Sequence, residues 1–172
     1  MIPSTYYGTL AEANTYFDGR LHESAWTEAA SADRPKALRA AAIIIDTLNY
    51  KGYKNAVYLA FEADPAATTA TIQAAEASQA LEFPRGADTV VPEAIRLASY
   101  EIAHALLDGK DPEQELENLG ISAQRLGDVA TNYNRTILPI EHIINNIPSS
   151  LAWRLILPFL RDEDAVRLLR VS

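Results

Sequence analysis

Three histidines, His22, His104 and His142, are the side chains best suited to proton transfer or metal binding near neutral pH, and they lie far apart in the chain. Glu101 and His104 form one E-x-x-H pair, the spacing that puts a carboxylate and an imidazole on one helix face in di-iron bundles. Such a centre needs the motif twice with two further carboxylates, and this chain carries it once. The pair therefore reads as a histidine at the edge of a helix packing face. There is no cysteine, which removes disulfides and thiolate zinc sites. No G-x-S-x-G elbow, G-x-x-x-x-G-K-[ST] phosphate loop or G-x-G-x-x-G turn is present. The 23 acidic residues contain no pair that the sequence singles out, and most read as a solvated surface. The expectation is no enzyme, no cofactor and no metal.

Aromatics beside cations could stack single-stranded bases at Tyr50-Lys51, Tyr53-Lys54 and Tyr133-Asn134-Arg135. The plainer reading is loops whose tyrosines are half-buried. Fifteen Lys and Arg against 23 Asp and Glu give a net charge of −8, and the cations are scattered rather than gathered into a stripe. Proteins that hold nucleic acid by its phosphates show the opposite balance.

These residues must be positioned by helices. At 172 residues and 48% apolar composition, one domain can build its own core. No basic leader precedes an apolar stretch, and no window approaches a membrane span, so a soluble protein with no membrane partner is expected. Thr9 and Glu12 fit a capping box that opens a helix ending near Gly19, with Leu10, Ala13, Tyr16 or Phe17 and Leu21 on its apolar face. The stretch 22–32 reads as a loop anchored by Trp26. Asp33 to Pro35 opens a central helix in which Leu38, Ala41, Ala42, Ile45 and Leu48 recur at helical spacing, with Ile43 and Ile44 widening the belt. After a break at Gly52, Asp64-Pro65 predicts a helix over 66–81, which Pro84 must end. Pro92 starts the next helix, with Ile95, Ala98, Ile102 and Ala105 or Leu106 buried and Glu93, Arg96, Tyr100, His104 and Asp108 on the wetter face. Asp111 caps a short helix ending at Gly120, a hairpin is expected near 121–134, and Ser149 or Ser150 caps a helix carrying Trp153. The fold class is mainly α: a helical bundle over 1–159 with a small β-hairpin, then an extended C-terminal arm over 160–172.

That arm is the most suggestive segment. Leu160, Val166, Leu168, Leu169 and Val171 are large apolar residues on a piece too short to build a core. Ordering such a segment costs about 1 to 2 kcal/mol per residue in backbone entropy, and burying each side chain returns about 1.5 to 3. It needs a partner surface to order, as a docking arm does; a frayed terminus is the alternative.

The order of motifs resembles a tailed-phage family often labelled DnaT-like single-stranded DNA-binding, whose members look like head-to-tail adaptor, or head-completion, proteins. The likeness rests on LAEANTYF, the Trp26 loop, IIIDTLNYKG, QALEFPRG, VPEAIRLASYEIAHALLDG, ELENLGISAQRLGDVATNYNR and IPSSLAWRLILPFLRD, and covers nearly the whole chain. The stretch 57–78 is longer than the family pattern. The resemblance implies a virion protein of the neck: a dodecameric ring beneath the portal, joined to a downstream neck or tail protein. Genomic DNA would cross its channel without sequence recognition, and the arm would insert into the portal. It also makes Phe83, Pro84, Arg85 and Gly86 a structural corner, with Phe83 plugged into the bundle and Arg85 paired with a carboxylate. Independently of the resemblance, Trp26 and Trp153 are expected to be core anchors. An acidic wall suits a conduit that must not hold DNA. The alternative reading is a single-stranded DNA-binding accessory protein.

Overall fold

The computed structural model describes residues 5–119, 123–126, 129–132 and 141–161. It is mainly helical. The central element is α6 (Glu93–Leu107), against which α2 (Ser24–Thr27), α3 (Asp33–Asp46) and α9 (Ser150–Ile156) all pack. Pro92 sets its start, and Gly109, at φ +81°, turns the chain away at its end. Ile95, Ala98, Ile102 and Ala105 recur every three or four residues and are buried, as their spacing predicts. Tyr100, expected on the wetter face, is buried instead. Its hydroxyl lies over Gly8, where an added Cβ would sit 2.0 Å away, so a glycine 92 positions earlier makes room for it.

The capping box of α1 (Leu10–Asp18) forms as read: Thr9 Oγ1 accepts from the Glu12 amide at 3.1 Å, and its hydroxyl donates to the Glu12 carboxylate. Ala13 and Phe17 are buried, but the apolar face stops there and Leu21 is exposed. The expected loop around Trp26 contains α2, a single turn that drops the indole into the core. In α3, Ala37, Leu38, Ala41, Ala42 and Ile45 are buried; the wider belt fails at Ile43, which stays 67% exposed.

The single helix expected over 66–81 is two helices. α4 (Asn55–Ala63) begins where Lys54 pairs with Arg85 in an antiparallel bridge, so its start is fixed by tertiary contact and not by a local cap. Asp64 Oδ1 accepts from the Ala66 amide and closes a turn, and Thr68 caps α5 (Thr69–Ser78) by accepting from the Thr71 amide. α5 packs on α4 with Ile72 and Ala75 half-buried and no side chain fully buried.

Asp111 accepts from the Glu113 and Gln114 amides ahead of α7 (Pro112–Leu119). Strands β1 (Ala123–Leu126) and β2 (Val129–Asn132) pair antiparallel, Leu126 opposite Val129, within the range where a hairpin was expected. After α8 (Glu141–Ile144), Ser149 caps α9 by accepting from the Ala152 amide, and Ala152, Trp153 and Ile156 complete the core. A 3-10 turn, Leu157–Phe159, leads to Leu160.

Candidate functional site

The corner at 79–86 is built from its neighbours inward. Phe83 is buried, with edge-to-face contacts to Tyr7, Tyr50 and Phe159 at centroid separations of 6.1, 4.7 and 5.5 Å. The Phe83–Pro84 peptide is cis, and Gly86 takes φ +58°. Pro84 does not itself end α5, which stops at Ser78. Arg85 pairs with the Glu82 carboxylate, donates to the Lys51 and Gly52 carbonyls, and lies over the Tyr50 ring at 5.5 Å. Lys54 reaches the same carboxylate at 3.1 Å. Gln79 ties the turn together, its side chain donating to the Leu81 and Pro84 carbonyls and accepting from the Ala56 amide.

Beneath it lies a half-buried acid, Asp46. Asp46 Oδ1 accepts from the Tyr7 hydroxyl and from the Glu82 amide at 3.2 Å. Burial pushes its carboxyl above the ordinary range despite these donors, and burial with the nearby Asp46 charge pushes the Tyr7 and Tyr50 phenols far up. Every polar group of the corner answers another within the same chain. Its chemistry is that of a clamp between the 50–54 loop, α4 and the core.

A second polar constellation fills a cleft of about 240 Å³ that includes Arg20, His22, Glu101, His104, Asp108 and Lys110. Glu101 is buried, and Arg20 grips it with two donors at 2.8 Å while the Tyr16 hydroxyl donates at 2.6 Å. Arg20 also donates to the Leu21 and His22 carbonyls, which fixes the turn after α1 with His22 at φ +58°. His104 stacks on Phe17, and Phe17 on Trp26, at 5.4 and 4.6 Å. Burial, with the Arg20 charge, lowers the imidazole below its usual value. The E-x-x-H pair thus divides its labour: Glu101 locks α1 to α6, and His104 ends an aromatic stack. Three donors converge on Glu101, two from Arg20 and one from Tyr16, and hold its carboxylate as a structural acceptor. Among the described residues, no group of three or more His, Asp or Glu side chains could hold a metal ion.

Trp26 is buried, its indole donating to Asn14 Oδ1 at 3.0 Å with the Arg34 guanidinium over the ring, and Trp153 is buried on α9. Leu160, assigned to the arm, is held to the body: it pairs with Tyr50, and the Lys51 amide donates to Phe159 O as the Arg161 amide donates to Asn49 O. Val166, Leu168, Leu169 and Val171 lie outside the described residues, as do Tyr133, Asn134 and Arg135. Tyr50 is buried with its hydroxyl on the Ile45 carbonyl, so its ring has no face for a base; Tyr53 is exposed beside Phe61. The Asp46 network and the Arg20–Glu101 grip escaped sequence reading, since each joins residues 36 to 85 positions apart. Comparison with protein-family models, with curated proteins and with solved structures finds no match to this chain.

Proposed function

We propose that this chain is a structural virion component, a head-to-tail adaptor that forms a ring beneath the portal and joins it to the neck or tail, with a channel for genomic DNA. The observation that carries the reading is the build of the protomer: a closed core bearing an α4–α5 hairpin whose second helix packs on α4 alone, with no side chain fully buried. A surface of that kind suits a subunit completed by its neighbours. The motif order from LAEANTYF to LAWRLILPFLRD supports it, as does a net charge of −8, which repels the duplex from the channel wall. The internal pairing of the corner is in keeping with joining and not with turnover. Burial of Tyr50 weakens the single-stranded DNA alternative at its first candidate.

Imaging of assembled particles of the phage that encodes the chain, with the chain tagged, tests the proposal. A closed ring under the portal is the expected result; particles whose neck lacks the chain overturn it. Strand binding that falls steeply with salt would favour the accessory-protein reading instead.

A further inference from the structure

The hairpin and the outer face of α3 have opposite characters. From Asn55 to Gln79 the chain carries Glu62, Asp64 and Glu76 and no Lys or Arg. Leu59 on α4 is 55% exposed, and Ala70, Gln73, Ala74 and Ala77 present a low, open surface on α5 that lets another helix approach closely. On α3, Lys36, Arg39 and Ile43 follow one another at helical spacing and are all exposed, in a chain where cations are the minority. Their present partners are weak: Lys36 pairs with the exposed Asp33 at 2.8 Å, and Arg39 donates to the Thr5 hydroxyl at 3.2 Å. Both faces are exposed, so a copy does not close its own hairpin onto its own stripe. The open groove between α1 and α6 is the other candidate acceptor, but its one cation, Arg96, is already paired with Glu12 at 2.8 Å, and Glu93 leaves it net acidic toward an acidic hairpin.

We propose that neighbouring copies of this chain join through two different faces, the acidic α4–α5 hairpin of one lying on the Lys36, Arg39 and Ile43 stripe of the next. This deepens the ring reading and rests on it: unlike faces repeat head to tail, and such a contact closes into a ring when its rotation permits. Ile43 and Leu59 supply the apolar centre, and the charges set orientation.

The absence of native cysteine makes the test direct. Full-length Ile43→Cys and Leu59→Cys variants are mixed under mild oxidation. The mixture is expected to give several-fold more cross-linked dimer than either variant alone, because the two positions meet only across unlike faces. Glu62→Lys with Glu76→Lys in the Leu59→Cys chain should lower the yield several-fold, and Lys36→Glu with Arg39→Glu in the other chain should restore it. Circular dichroism confirms that each variant is folded. Equal dimer from the single variants, or no dimer at the highest soluble concentration, overturns the interface. A chain found at the neck without this cross-link keeps the adaptor and loses the interface; the cross-link in a chain absent from particles does the reverse.

Discussion

Replacing Arg20 by alanine strips the buried Glu101 of both guanidinium donors while leaving its charge in place. Only 3% of the Glu101 side chain and 25% of Arg20 meet solvent, so water cannot readily take over. Breaking a buried ion pair from one side costs about 3 to 5 kcal/mol. Here the Tyr16 hydroxyl still serves one oxygen and Arg20 is partly hydrated, which brings the expectation to about 2 to 4 kcal/mol. For a domain of this size that corresponds to a fall in Tm of about 4 to 16 °C. Urea denaturation followed by circular dichroism, at constant m, is the assay. The companion double variant, Arg20→Ala with Glu101→Leu, removes the stranded charge and should recover much of the loss. A cost below about 1 kcal/mol for Arg20→Ala, the range of a surface pair, would refute the reasoning. So would a double variant no better than the single one.

Asp46→Asn keeps an acceptor for Tyr7 and Glu82. Because burial raises the Asp46 carboxyl above its unfolded value, its ionisation weakens the fold as pH rises, so the variant's stability relative to the parent should grow as pH rises above the ordinary carboxyl value of 3.8 and through the raised one, read in pH-resolved melts. His104 is shifted the other way: its contribution is intact above the ordinary 6.5 and is lost as pH falls through its lowered value, so His104→Phe should flatten the acid limb of the stability profile below pH 6.5. Trp153→Ala should cost about 3 to 5 kcal/mol by chemical denaturation; an unchanged midpoint would contradict its burial. On the adaptor proposal, deleting Asp162 to Ser172 should leave a folded protomer that no longer co-sediments with a portal protein, and normal attachment would refute the arm.

What the sequence made legible was whatever is written locally. The Thr9 cap, the spacing of Ile95, Ala98, Ile102 and Ala105, and the Ser149 cap each act within one or two turns. α4 was missed because Lys54 offers no side-chain cap; the helix starts against Arg85, 31 residues on. Polarity misplaced Tyr100, whose burial depends on space left by Gly8, and Ile43, whose apolar side chain faces outward. In the corner, Phe83 is buried and Arg85 meets the Glu82 carboxylate, yet the acid beneath them and the hold of Arg85 on the Lys51 and Gly52 carbonyls required the fold.

The short pairing of Asn49 to Lys51 with Phe159 to Arg161 also fixes a load path. Tension applied to the chain beyond Arg161 is received first by two backbone hydrogen bonds, then by the loop that Arg85 grips, and only afterwards by the helices. A pull on that end is thus shared with the Phe83 plug through its contact with Phe159.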